Sequence, residues 1–275
     1  MILWTDKKTF LELSYVAILP TVLVLCLYPN FSIGIPEIAI FMALFAYAGL
    51  SINVRVYSET PYLERVTRRR YMLKLIGANS VVYYLTLLFF DAILMVLVCF
   101  YALGIAALFN YNKFTQNLFT VDNINQIALM SCLTIGWIVG ILGNFYCYSN
   151  LFSDKEKGLL YIPGILTIVE VLSTFVIVIM IVVAIVVQNA YLNYLFLIIS
   201  VLSPNMGYVL CMLSNFVVGP MIDLINDNKS SGSTPIKIDI GPIQQIQIAA
   251  VFFNAVVYIV APIVIDHYRN SGSLG

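Results

Sequence analysis

"NSVVYYLTLLFFDAILMVLVCFYALGIAAL", residues 79–108, holds a single charged side chain, Asp91. A helix of that length in a water-soluble core keeps one polar face, and this run has none. About 20 apolar residues cross the hydrocarbon of a bilayer, so the run spans with length to spare and must tilt, kink or protrude.

The rest of the chain agrees. Its 275 residues are 61% hydrophobic and 10% charged, and the mean hydropathy is +0.95. Further apolar runs lie near 12–28, 35–55, 125–148, 159–187 and 243–265. The expected fold is an all-α integral membrane protein, one domain over residues 1–275 with six spans in a bundle. The N-terminal run is read as a first span and not a cleaved signal, because Glu12 interrupts it and no small-x-small site closes it.

Residues 191–218 form another apolar stretch, broken by Ser203-Pro204-Asn205-Met206-Gly207. Each half is too short to span. The expectation is a re-entrant helix pair before the last span, with its turn at Ser203, Pro204 and Gly207. Irregular backbone at membrane depth is tolerated where protein or a watery cavity covers it. So the turn packs on other spans or lies near the surface.

Basic residues set the orientation. With the N-terminus in the cytoplasm, alternating spans leave Lys7, Lys8, Arg55, Arg65, Arg68, Arg69, Arg70, Lys74, Lys155, Lys157 and Arg269 on the cytoplasmic side. Only Lys113, Lys229 and Lys237 fall outside. Positive charge resists translocation, so both termini are expected in the cytoplasm, in the plasma membrane or an endomembrane. Two glycosylation sequons, at Asn30 and Asn228, fall on the outer side. The polar stretch 219–242 reads as an exposed outer loop.

The basic residues are not spread evenly. "ERVTRRRYMLKLIGAN", residues 64–79, runs from Glu64 through Arg65, Arg68, Arg69, Arg70 and Lys74 to Gly77. Thr60-Pro61 fits a helix start, with Thr as cap and Pro in the first turn. An early Glu64 and later basic residues suit the helix dipole. Tyr62, Val66, Arg69, Leu73 and Ile76 share a stripe, which predicts an amphipathic cytoplasmic helix over 59–76. Two readings stand: a topogenic cluster against anionic lipid headgroups, or a docking element for a cytoplasmic partner.

Two acids lie deep inside spans, Asp91 and Glu170, each about three turns from the span's start. Such a group costs a few kcal/mol or more unless protein or a polar cavity receives it. They belong to a substrate path, or to helix–helix hydrogen bonds; the second is favoured for Asp91, and Glu170 is left open. Gly136, Gly140 and Gly143 have small-xxx-small spacing, the pattern of a close helix seam. Phe145, Tyr146 and Tyr148 read as an aromatic belt at the cytoplasmic interface. The five cysteines are scattered and His267 is the only histidine, so no metal site is expected. No nucleophile–base pair points to an enzyme. The net charge of zero points to no partner, and nothing suggests nucleic acid.

The segment 64–94, "ERVTRRRYMLKLIGANSVVYYLTLLFFDAIL", resembles the one after the second span in the A subfamily of ABC transporters, the lipid exporters. The matching positions are Glu64, Lys74, Ile76, Gly77, Tyr83, Tyr84, Phe89, Phe90 and Asp91. The opening "LWTDKKTFLELSYVAILPTVLVL", with Pro20, and the stretch around Ser203-Pro204 resemble the same family more loosely. The resemblance implies an ABC-2 type transmembrane domain. In it, 59–76 would be a coupling helix that carries nucleotide-domain closure to the spans. The substrate class would be lipid or sterol.

The implied partners are a nucleotide-binding domain in cis or trans and a second transmembrane half. ATP and Mg would be bound in that nucleotide-binding domain. This chain has no GxxxxGK[ST] loop and so no cofactor of its own in that sense. It departs from the A subfamily in the gap between its first two spans. That gap is about six residues, Pro29 to Gly34, as short as in the neighbouring G subfamily. The terminal "NSGSLG" reads as a linker or a truncation, at the point where an A-type transporter would run on toward its nucleotide domain. A non-transporting membrane scaffold or regulatory subunit is the alternative, and an ATP-independent channel or carrier, short of intramembrane charge, is the third reading.

Overall fold

The computed structural model describes residues 35–48, 50–109, 121–150, 203–218 and 241–271, with five single positions between 161 and 172. The expected span 12–28, all of 159–187 but those five positions, the first half of the re-entrant pair, the 219–240 loop, Glu170, Asn30 and Asn228 lie outside them.

The described residues are helical, with no strand among them. The elements are α1 (Ile35–Ala48), α2 (Leu50–Val66), α3 (Arg69–Leu75), α4 (Ser80–Phe109), α5 (Val121–Ser149), α6 (Pro204–Leu213) and α7 (Gly241–Ser271). A π-helical turn, Ser214–Val218, extends α6. Three helices, α4, α5 and α7, are long and apolar enough to cross a membrane. Only 17% of the α4 window is buried, against 50% for α5, so α5 is the central helix and α4 a peripheral one. The outward side of α4 carries Val82, Phe89, Phe90, Leu97 and Phe100. The outward side of α7 carries Phe253, Val256 and Val260. Bare apolar surface on that scale is stable in lipid and not in water. The chain is a membrane protein.

At the centre, α5 packs against α7, α2, α6, α4 and α1. The α5–α7 contact is the seam that the glycine spacing announced. A Cβ on Gly136 would meet Val251 and Phe252, and one on Gly140 would meet Pro204 and Ala255. A Cβ on Gly143 would run into the Tyr258 carbonyl oxygen. Pro262 stands four residues after Tyr258 and has no N–H to give it, so the α7 ladder lacks that rung. Of the three seam glycines, Gly143 makes the tightest approach to α7, one turn before Pro262.

Helix α6 is enclosed. Pro204 through Met212 are all buried, against α1, α5 and α7. Trp137 of α5 donates to Asn205 Oδ1 at 3.1 Å and stacks on Tyr208 at 4.8 Å. Ser203 is the N-cap, accepting from Met206 N. The Ser203–Gly207 stretch is therefore a capped helix start packed in the core. With the π-helical turn the helix is roughly 22 Å long, short of a bilayer.

Three local expectations need correction. The helix does not begin at Thr60-Pro61: α2 runs from Leu50 through Pro61 to Val66. An interior proline costs about 3 kcal/mol. Here Tyr57, Ser58 and Tyr62 are buried around it, against α5 and its neighbours, and that packing carries the helix through. The helix is then broken at Thr67-Arg68, where Arg68 takes the left-handed conformation, φ 60°. The stripe from Tyr62 to Ile76 is thereby split, with Tyr62 fully buried and Ile76 84% exposed. Finally, Phe145 and Tyr146 are buried core residues and not a membrane-interface belt. They sit on the inner face of the central helix.

Candidate functional site: a buried ionic joint at one end of the bundle

The basic segment is an elbow. The α2 ladder closes with Thr67 N on Leu63 O and Arg68 N on Arg65 O. Arg68, in the left-handed conformation, then breaks the helix and leads into α3, whose seven residues end in a Schellman motif. Ala78 N reaches Leu73 O and Gly77 N reaches Lys74 O. The motif needs a residue at positive φ, and Gly77, at φ 96°, supplies it. Asn79 opens α4 by accepting from Val81 N.

The elbow points Arg70 inward. It is 5% exposed. Its Nη1 donates to Tyr84 Oη at 2.8 Å, and its Nη2 lies 2.6 Å from Asp266 Oδ2. The second approach is an ion pair whose N–H is off-line for a hydrogen bond. The guanidinium also lies over the rings of Tyr83 and Tyr84, at 4.7 and 4.4 Å from their centroids. A planar cation meets a carboxylate, a hydroxyl and two aromatic faces at once, a set that an ammonium cannot match.

Asp266, near the end of α7, is the other half of the joint. The same Oδ2 accepts from Ser80 Oγ at 2.6 Å and faces Lys74 Nζ at 3.2 Å. Three elements, α3, α4 and α7, thus meet on one buried carboxylate. A second strand of contacts ties in α2 and α5. Arg65 Nη1 donates to the Asn150 carbonyl at 2.7 Å. Asn150 Nδ2 donates to Tyr84 Oη at 2.8 Å and to the Tyr146 carbonyl at 3.0 Å. Glu64 accepts from Tyr83 Oη at 2.6 Å. Deeper in the bundle, Tyr146 Oη donates to Asp91 Oδ2 at 2.6 Å. The intramembrane acid is held by a helix–helix hydrogen bond, the reading favoured for it from sequence.

The predicted residues therefore separate into two groups. Glu64, Arg65, Arg70 and Lys74 enter the joint, and Gly77 shapes its hinge. Arg68 and Arg69 are exposed on the elbow. Ser203, Pro204 and Gly207 belong to a different region, the α6 start. Asp266, Ser80, Tyr84, Asn150 and Tyr146 were not anticipated as partners. Asp266 carries a signal in retrospect: it is an acid at the end of the last span, on the side assigned to the basic run. Such an arrangement holds and orients five helices. It is a mechanical and electrostatic junction. Comparisons with protein-family models, with curated proteins and with solved structures found no match.

Proposed function

We propose that the chain is the membrane-spanning part of an ATP-driven lipid transporter, an ABC-2 type domain powered by a nucleotide-binding domain outside it. The observation that supports this is the joint. A solvent-exposed basic elbow is fastened by Arg70 to α7 and α4, and by Arg65 and Asn150 to α5. A push on that elbow cannot stay local, because buried ion pairs and packed helices resist independent displacement. In this reading the elbow at Thr67–Arg69 receives the push of nucleotide-domain closure. The joint converts it into tilting of α4, α5 and α7. Lipid or sterol is the substrate class, and the apolar outward faces of α4 and α7 are compatible with it.

The test uses the assembled complex in vesicles of phosphatidylcholine alone. Because Arg70 is buried, reversing it would break packing; Arg68 and Arg69 are exposed and carry the test. R68E/R69E is expected to insert and assemble normally while ATP-driven lipid movement falls roughly ten-fold, a coupling loss in the usual range. Unchanged lipid movement would overturn the assignment of the elbow. Absence of a nucleotide-binding chain in stoichiometric amount would favour the scaffold alternative.

A further inference from the structure

The joint accounts for only one face of α3. Arg70 and Lys74 point inward to Asp266. The opposite face is apolar and bare: Tyr71 and Met72 are 62% exposed, Leu75 65% and Ile76 84%. Flanking them, Arg68 and Arg69 are exposed as well. No acid lies within α3. This face continues onto the exposed start of α4, Val81, Val82 and Leu85, which belongs to a candidate span. The short helix thus sits where a span enters the bilayer, with oily residues outward and cations beside them.

We infer that the outer face of α3 is a docking surface for an anionic bilayer. Tyr71, Met72, Leu75 and Ile76 lie among the headgroups and upper acyl chains, and Arg68 and Arg69 bind lipid phosphate and carboxylate groups. Two physical arguments carry it. Four adjacent apolar side chains at that exposure have a large cost in water that the interface removes, and basic residues beside such a face are the signature of interfacial helices. Continuity with the lipid-facing surface of α4 places the patch at membrane depth. A protein partner would need to reach the same patch from within the headgroup layer.

The consequence is regulatory. The same seven-residue helix holds Arg70 on its other side, so the bilayer charge that anchors the outer face also sets the position of the joint. Each basic side chain near an anionic surface shifts a docked-versus-lifted equilibrium by roughly five-fold. Two of them give about 25-fold. Arg68 and Arg69 lie on lipid when no nucleotide-binding domain is docked, and its closure would lift them from it; the test therefore needs no nucleotide-binding chain.

The test is fluorescence of I76W, with Y71W as a second probe on the same face. The full chain is reconstituted in phosphatidylcholine vesicles, with or without phosphatidylserine, and quenched with lipids brominated near the headgroup end of their chains. Both positions are exposed, so neither substitution disturbs packing. The expected result is added tryptophan emission, relative to the parent chain, that the brominated lipid quenches, more strongly when phosphatidylserine is present. R68Q/R69Q is expected to abolish the phosphatidylserine dependence. Emission at both probes that bromine leaves untouched in either lipid would overturn the proposal, whether water or a second protein surface shields them. Quenching that is equal in the two lipids, and unchanged by R68Q/R69Q, would overturn the anionic part.

Discussion

Arg70 is the residue on which most contacts converge, and its roles are separable. Truncating it to Met keeps much of the bulk over Tyr83 and Tyr84 but takes the guanidinium away from Asp266. Breaking a buried pair from one side costs about 3–5 kcal/mol. Lys74 remains at 3.2 Å, so R70M is expected to cost about 3 kcal/mol, read as a lowered midpoint of thermal unfolding in detergent. R70K should recover little of it, because one ammonium cannot bond Tyr84 and pair with Asp266 from between two rings. Full recovery by Lys would show that charge alone matters. At this scale the sequence was partly legible. An acid three turns into a span has to find a donor, and Asp91 finds one in Tyr146. Which of four clustered arginines turns inward was not legible. That choice depends on Asp266, which lies nearly 200 residues further along the chain and meets Arg70 only when α7 packs beside α4.

Helices were the more legible scale, and glycines mark where they fail or touch. Two of them predict costs of different size, and from different causes, for the same substitution. A Cβ on Gly77 meets nothing within 4 Å, so G77A suffers only the positive-φ penalty, about 1 kcal/mol. A Cβ on Gly143 runs into the Tyr258 backbone. G143A must then push α5 from α7, at about 2–3 kcal/mol. Unfolding in detergent should rank the two in that order; a milder effect at Gly143 would mean that the seam yields. The seam was readable because small residues at i, i+4 and i+7 leave a groove that only another helix fills. The break between α2 and α3 was not. Its left-handed residue is Arg68, with no Gly or Asn to announce it, while Pro61, which does announce a break, is absorbed by packing. Aromatic position misled for a related reason: Tyr146 near a helix end looks interfacial, yet α5 is surrounded, so its end is buried too.

At the scale of the molecule, charge pattern and geometry meet. Three of the stretches that the basic residues assign to one side of the membrane are the elbow, the end of α5 and the end of α7. They are in contact through Arg65, Asn150, Arg70 and Asp266. Composition and run length were enough to read a helical membrane protein. Three described helices are long enough to span. How the helices assemble was beyond reach, because lipid-facing runs look alike and only the few polar side chains select neighbours. Those same side chains form the joint, and the account rests on its transmitting force. The most direct measurement is ATP-driven lipid movement by the reconstituted complex carrying D266N. Asn keeps an acceptor for Ser80 but removes the charge shared by Arg70 and Lys74. The account predicts that the assembled variant still hydrolyses ATP while lipid movement is lost. Lipid movement at the parent rate, in a variant that assembles normally, would contradict it.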